Sequence, residues 1–474
     1  MSVTGFQKSI YGLDLEEEIE IGFFFKNLKV YSISEEEFKK SLPEYSEGEN
    51  SDELYSENSL QYLVVESFFN LKAYDSLLEG SAKIRPDILI ILGILSFLTN
   101  ESFIPANCFD SHLSRVEHHF STKGEKGFLK FNGFDLSDDL NKILELIKEF
   151  SLERQILSFT LFERWRKALY LEKESEDGEI FIDESVLAYV HILEILADEF
   201  KGELDKQNDI KRKALSTEII SYAQNDNCQE KEMIKLLNNL DNTRVSLKAK
   251  VFQLLISFNI DNLKSRAIVE RFIEHRNAIA HGRKNLYQEK LVFPLPQFFS
   301  FIKDIDENIE LIKILAARCI SEFFQLDLWK AEWEIMLQIE VTPLILVMNF
   351  INERKYDKLT KDDFLEGKID GVTPLDLAYY YKKKKVDFKY LEASLNELIL
   401  SATENEKEYE PLFDCAVILS DSYDIKLSEK CKQIISTVDN NRWHHYSNIR
   451  DVIKEYEYHD RKLIWFEKWL TDRN

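Results

Sequence analysis

Glycine and proline are scarce in this chain, and their scarcity limits the folds that it can adopt. Its 474 residues include only 14 Gly and 8 Pro, the residues that most often end helices and form tight turns. Leu, Ile, Glu and Lys are abundant instead, a composition typical of long helices. We therefore expect a mostly α, soluble protein, with enough chain for two or three domains.

Three segments differ in their hydrophobic pattern. Residues 1–150 are expected to form an N-terminal accessory domain, mainly helical, with room for a few short strands in the runs GFFF and LKVYSIS near the N-terminus. Within this segment, residues 60–100 have a pattern that predicts helix. Residues 151–330 contain successive amphipathic stretches that predict a multi-helix bundle. Residues 331–474 are expected to be a helical accessory or sensor region.

No segment predicts passage through a membrane. The most apolar stretch, Ile88 to Leu98, is too short to span a bilayer, and it is predicted to be a buried helix opened by Pro86. The N-terminus lacks the basic start and apolar run of a signal peptide. Five widely spaced cysteines without a C-x-x-C pair predict neither a disulfide framework nor a zinc site. We expect a cytoplasmic protein with no metal, cofactor or membrane partner.

The charge of the chain argues against a protein that coats nucleic acid. The formal net charge is −24, so phosphate contacts would have to overcome long-range repulsion. Residues 262–290 are an exception, because they hold seven Lys or Arg against three Glu. A basic island in an acidic chain favours selective binding of one phosphate region.

Two patterns in the C-terminal region are interpreted as structural. The sequence GVTPLDLAYYY resembles one piece of an ankyrin repeat, but it has no companion at the 33-residue period. Thr373 and Pro374 are therefore predicted to start a helix, as N-cap and first helical residue. The four lysines at 382–385 are predicted to be a solvated helix end.

The stretch RFIEHRNAIAHGR (271–283) is the strongest candidate for a functional site. It is predicted to lie in a helix that starts after Asp261, as N-cap, and stops at Gly282, as C′ residue. Its apolar stripe consists of Val269, Phe272, Ile273, Ile279 and Ala280, and its polar stripe consists of Glu270, Glu274, Asn277 and His281. Arg276 falls in the middle of the apolar stripe. A helix that only packs against a core has no need of a guanidinium there.

A structural explanation of these residues remains open. Arg276 could extend its head to water or pair with a buried carboxylate. His281 could complement the helix dipole from the last turn. The combination of Arg276, Asn277 and His281 in one short stretch is what favours a site.

The string Arg276-Asn277-Ala278-Ile279-Ala280-His281-Gly282 resembles the RNxxxH signature of the HEPN superfamily (higher eukaryote and prokaryote nucleotide-binding domains). It is most similar to the form in ApeA-like and other bacterial abortive-infection members. The resemblance covers about residues 150–330. It implies a HEPN-like helical bundle and a metal-independent endoribonuclease that arrests growth or defends against phage. It also implies a homodimer, because the motif helices of such nucleases face each other.

The chemistry of the motif residues suits this activity. A histidine such as His281 titrates near neutral pH and can accept the proton of a ribose 2′-hydroxyl or protonate the leaving 5′-oxygen. The forked guanidinium of Arg276 can stabilise charge on the non-bridging phosphate oxygens. Asn277 could orient the imidazole or bind the phosphate, and Glu274 could support the arginine or tune the histidine. The products would carry 2′,3′-cyclic phosphate and 5′-hydroxyl ends.

The expected partners follow from the same reasoning. RNA is the expected substrate, with tRNA as one candidate, and Arg271, Arg283 and Lys284 are the candidate RNA-binding residues. A phage-derived trigger or a neutralising protein could regulate the activity. Two alternatives stay open: a non-catalytic HEPN-like module that binds RNA, nucleotide or protein, and an unrelated helical protein with an accidental motif.

Overall fold

A computed structural model describes residues 3–13, 15, 17–41, 61–71, 76–104, 108–116, 126–175, 180–223, 231, 235, 245–282 and 305–472. The chain forms two compact units. The first contains residues 1–261, 268–288 and 292–334, and the second contains residues 262–267, 289–291 and 335–474. Helices predominate, as the composition predicted.

The first unit contains an antiparallel sheet of seven strands. These are β1 (Val3–Leu13), β2 (Ile19–Phe25), β3 (Leu28–Ser34), β4 (Gln61–Leu71), β5 (Cys108–Val116), β6 (Phe128–Phe131) and β7 (Phe134–Asp135). Their order across the sheet is β5-β1-β4-β3-β2-β6-β7. In the register of the central strands, Val65 of β4 lies opposite Ser9 of β1 and Val30 of β3.

The predicted fold class, a helical bundle with at most a few short strands near the N-terminus, is therefore wrong. The two N-terminal apolar runs are indeed strands, β2 and β3, but residues 61–71, predicted to be helix, form the central strand β4. Tyr62 to Val65 are four successive buried residues. A strand buried on both faces shows no polar alternation, so its pattern is hard to distinguish from that of a buried helix. The β-branched and aromatic side chains of this stretch favour the strand.

The helices of the first unit follow or interrupt the strands. They are α1 (Glu35–Ser41), α2 (Leu77–Ala82), α3 (Arg85–Thr99), α4 (Ser137–Glu149), α5 (Leu152–Lys173), α6 (Ile182–Phe200), α7 (Gly202–Ala223), α8 (Leu247–Ser257), α9 (Leu263–Ala280, whose first residues belong to the second unit) and α10 (Ile305–Phe323). The prediction of a buried helix opened by Pro86 is confirmed by α3, in which this proline occupies the first turn.

The core of the helical part is built around Trp165 of α5, which is fully buried. Its ring packs edge-on against Phe97, Tyr189 and Trp329, and its Nε1 donates to the Ser96 carbonyl at 3.2 Å. Helix α3 crosses α5 closely at Gly93, where an added Cβ would lie 2.6 Å from the Cβ of Phe162. Helix α6 packs against α5, α8 and α10 and so lies at the centre of this group.

The second unit is built from short helices. They are α11 (Lys330–Ile339, which begins in the first unit), α12 (Leu344–Asn352), α13 (Lys361–Leu365), α14 (Pro374–Lys382), α15 (Phe388–Ser401), α16 (Glu406–Tyr409), α17 (Phe413–Leu419), α18 (Ile425–Asn441), α19 (Asp451–Tyr458) and α20 (Ile464–Thr471). Large side chains such as Phe350, Tyr409 and Phe466 fill one continuous core. The predicted helix start at Thr373 is confirmed, since its side chain caps α14 in a reciprocal capping box with Asp376.

None of the described helices is by itself long and apolar enough to cross a membrane. The bent pair α11 and α12 meets the length and composition criteria only when its two helices are taken together.

Candidate functional site

The motif helix α9 is closed at both ends by local interactions. At its start Asn262, and not the predicted Asp261, is the capping residue: its Oδ1 accepts from the Ser265 backbone N–H at 2.8 Å. The Ser265 hydroxyl accepts from the Asn262 N–H in return, also at 2.8 Å. At the other end the helix stops at Ala280, and Gly282 has φ +55°, as predicted for a C′ glycine.

Arg276 is held by a carboxylate from a neighbouring helix. Its Nε lies 3.0 Å from Oε1 of Glu194 on α6, and its Nη1 donates to Oδ1 of Asn277 at 3.3 Å. The side chains of Arg276 and Glu194 are 29% and 22% exposed. Nη2 donates to no residue of the described ranges. The guanidinium is thus fixed on one side and retains donors for a ligand on the other.

The other predicted site residues lie at different depths. His281 follows the last helical residue and is exposed, as is Glu274. Asn277 is half-buried, and its side chain contacts Arg276. The carboxylate bound to Arg276 belongs to Glu194 and not to Glu274. Of the predicted RNA-binding residues, Arg271 is half-buried, while Arg283 and Lys284 lie outside the described residues.

Sequence reasoning missed His191 and Glu194, which lie one turn apart on α6. Both are half-buried. The pKa of His191 is lowered, first by burial and then by the nearby cations Arg164, Arg276 and Lys167, against the opposing effect of Glu194. The available signal was the presence of two titratable side chains within the apolar run from Val186 to Leu196. The structure brings both toward the motif arginine.

A second polar cluster lies in the C-terminal unit. Lys382 was predicted to be solvated, and this is wrong, since its side chain is only 10% exposed. Its Nζ lies 2.6 Å from Glu455 and 3.7 Å from Asp414. The Tyr446 hydroxyl donates to the same two carboxylates, at 2.7 and 3.2 Å. Burial opposes the charge of Lys382, but the two carboxylates overcome that effect and raise its pKa.

The Arg276 cluster presents a fixed guanidinium that can bind an anion, and His281, just after the end of the same helix, presents an exposed imidazole that can exchange a proton. Within the described ranges, no three His, Cys, Asp or Glu side chains group as metal ligands. The chain matches no protein-family model, no curated protein and no solved structure.

Proposed function

We propose that this chain is a metal-independent RNA endonuclease of the HEPN type, acting in the cytoplasm as a growth-arrest or phage-defence effector. The observation that carries the proposal is the state of Arg276, which is half-buried and fixed by Glu194 at 3.0 Å while Nη2 stays unbonded within the described residues. A fixed guanidinium with free donors suits a phosphate that gains charge during reaction. His281, exposed just after the end of the same helix, supplies an imidazole that can accept or donate a proton.

The proposed reaction is an internal transfer at phosphorus. His281 in its neutral form accepts the proton of the 2′-hydroxyl, and O2′ forms a bond to phosphorus. The P–O5′ bond breaks, O5′ takes a proton from water, and the His281 imidazolium returns its proton to the solvent. Arg276 donates to the non-bridging oxygens, whose negative charge increases in the transition state. The products are a 2′,3′-cyclic phosphate and a 5′-hydroxyl, so the reaction needs no metal and no cofactor.

We further propose that the complete site is formed by two copies of this chain. Arg276 and His281 are five residues apart, so at 3.6 residues per turn they point about 140° apart around the helix. One copy therefore does not direct both groups at a single phosphate. Ile273 and Ile279, which flank Arg276, are partly exposed, and such apolar side chains suit burial against the motif helix of a second copy.

The composite site predicts that two inactive variants restore each other. Arg276→Ala and His281→Ala are each expected to be inactive as homodimers. Heterodimers of the two variants retain one site with an intact arginine and an intact histidine, and they should recover up to about half of the wild-type cleavage rate. Co-purification with two affinity tags followed by a cleavage assay measures this recovery. Heterodimers that form but stay inactive would contradict a site shared between subunits.

The activity itself is tested with total RNA, including tRNA, in the presence of EDTA. We expect wild-type protein to give discrete fragments that end in 2′,3′-cyclic phosphate, and His281→Ala to slow their formation by about 10²-fold or more, the usual contribution of a general acid or base. The matched control is His459→Ala, because His459 also caps the C-terminus of a helix. End mapping after phosphatase and ligase treatment identifies the cyclic phosphate.

Two results would decide against the nuclease. Equal cleavage by wild type and His281→Ala would assign the activity to another site or to a contaminant. The second result is that the wild type binds RNA but does not cleave it, even in phage-infected cells, which would supply a trigger. This result would favour the non-catalytic module.

A further inference from the structure

Two cations on α5 form no ion pair with the described residues. Arg164 and Lys167 are three residues apart, so they lie on the same side of the helix. Neither forms an ion pair with any residue in the described part of the chain. The other two arginines of this helix are paired, Arg154 with Glu199 and Arg166 with Glu163. Two cations on one side of a helix that are unpaired within the described ranges, in a chain of net charge −24, can bind an anion.

These cations lie beside the α6 residues that hold the motif arginine. Helices α5 and α6 pack against each other. Arg154 contacts Glu199 at 3.3 Å, and the Ser185 hydroxyl donates to the Ala168 carbonyl at 2.9 Å. Arg164 therefore lies within about one turn of the level of His191. Arg164, Lys167 and Arg276 all lower the pKa of His191. His191 lies one turn from Glu194, which contacts Arg276 at 3.0 Å. The ring nitrogens of His191 form no hydrogen bond with the described residues. Helices α5, α6 and α9 therefore bring three cations near one imidazole that has no hydrogen-bond partner among the described residues.

We propose that Arg164, Lys167 and His191 form a phosphate-binding subsite beside Arg276, which holds a phosphodiester of the RNA strand next to the one that is cleaved. The proposal rests on the proposed function for the identity of its ligand. Arg164 and Lys167 bind the non-bridging oxygens by charge, and the neutral imidazole of His191 donates one N–H to them. Together with Arg276 and Glu194, the group has three positive charges and one negative charge, a formal total of +2. It therefore attracts an anion.

The different exposure of the three side chains favours a narrow, flexible ligand. His191 and Arg164 are half-buried, whereas Lys167 is exposed. A ligand that contacts all three must approach from the exposed side of α5 and reach the two half-buried side chains. A phosphodiester in single-stranded RNA meets this requirement, since it has two non-bridging oxygens on an unpaired, flexible backbone.

The subsite is tested by binding, without any cleavage. The probe is a single-stranded 2′-O-methyl oligoribonucleotide, which lacks the attacking hydroxyl, and its affinity is measured by fluorescence anisotropy at several salt concentrations. The double variant Arg164→Gln with Lys167→Gln is expected to bind roughly tenfold more weakly at 0.1 M salt. Its salt slope should be shallower by roughly 0.7 for each cation lost. The matched control, Lys211→Gln with Lys213→Gln, removes two exposed lysines of α7 and should leave both quantities unchanged.

The variant His191→Phe separates the imidazole from the cations. It keeps an aromatic ring in a half-buried position but removes the N–H donor. We expect weaker binding of the same oligonucleotide with an unchanged salt slope, because a neutral donor displaces no counterions. A change in slope, or no change in affinity, would overturn the role given to His191.

The outcomes also separate the subsite from the nuclease. If the α5 variant loses affinity while the wild type cleaves no RNA, the subsite stands and the nuclease fails. If the wild type binds and cleaves but the α5 variant binds as tightly, the subsite fails and the nuclease stands. No binding of the oligonucleotide by wild type, or equal binding of a polyglutamate of the same length, would overturn the phosphate subsite. Unchanged thermal unfolding of each variant confirms that the fold is intact.

Discussion

Replacing Lys382 by methionine should lower the free energy of unfolding of the C-terminal unit by about 3–5 kcal/mol, the usual cost of breaking a buried ion pair. The reason is the pair of carboxylates that remains: Asp414 is 5% exposed and Glu455 is 35% exposed, and both lie within 4 Å of the Lys382 ammonium. Without the lysine, two negative charges face each other beside the apolar core. Hydrogen exchange by mass spectrometry measures the loss on α14, α17 and α19 separately from the first unit.

The control for this substitution is Lys385→Met, since Lys385 belongs to the same lysine run but is exposed. It should change stability by less than about 0.5 kcal/mol. A third variant, Lys382→Met with Asp414→Leu and Glu455→Met, removes all three charges and should recover most of the loss. Equal destabilisation by Lys382→Met and Lys385→Met would show that the buried charges are not the cause.

The ion-pair cluster of Lys382 also determines how the destabilisation by Lys382→Met depends on pH. The Glu455 pKa would be raised by burial, but Lys382 overcomes this effect and lowers it below 4.5. Its contribution is therefore present above pH 4.5 and is lost as the pH falls through the lowered value. Lys382 has its pKa raised above 10.5, so its contribution is present below pH 10.5 and is lost above the raised value. The effect of Lys382→Met should be constant from about pH 5 to 10 and should shrink in acid.

Lys382 also shows what the sequence could have revealed. The buried residues of α14 include Pro374, Leu377, Ala378 and Lys382, which follow the spacing of a helical core face. The periodicity alone places this lysine inside, but the run of four lysines suggested a solvated end. Its partners could not be predicted, because Asp414 and Glu455 belong to other helices, 32 and 73 residues further along the chain.

The sheet was missed for a related reason. Helix α3 could be predicted because Pro86 and the apolar run are local signals, and the cap at Thr373 is local as well. Strand β4 depends on β1 and β3, and β1 pairs with it across more than 45 residues of sequence. The sequence of residues 61–71 does not show which strands will pair with its backbone N–H and C=O groups. Its apolar run is therefore also compatible with a helix.

In the candidate site, the sequence predicts the unusual position of Arg276 but not its partner. The position of Arg276 within an apolar stripe indicated that the guanidinium needs a partner or a ligand, and the structure supplies Glu194 as its partner. That carboxylate lies 82 residues earlier in the chain. Periodicity indicates that a buried face exists but does not identify what packs against it. The sequence therefore suggests Glu274, which is near Arg276 in the chain, whereas the partner in space is Glu194.

The substitution Arg276→Lys distinguishes a catalytic role of this arginine from a structural one. In Arg276→Lys the positive charge beside Glu194 is kept, but the planar fork of donors is lost. We expect RNA cleavage to fall by about 10²–10³-fold, as when one preorganised donor to a developing oxyanion is removed. Stability should fall by no more than about 1 kcal/mol, because the side chains of the pair are 29% and 22% exposed and lysine retains the charge.

The matched control is Arg154→Lys, because Arg154 also presents its Nε to a glutamate of α6, with 3.3 Å between its Nε and Glu199 Oε1. This variant loses the same chemical group from a comparable pair, so it should cleave like wild type. If Arg276→Lys lost stability while cleaving at the wild-type rate, Arg276 would be a structural residue and the motif would have no catalytic arginine. If cleavage falls only in Arg276→Lys and unfolding is unchanged in both variants, the fork of Arg276 acts on the reacting phosphate. Both variants keep the charge and lose the fork from a pair with a glutamate of α6, so neither change by itself explains the difference.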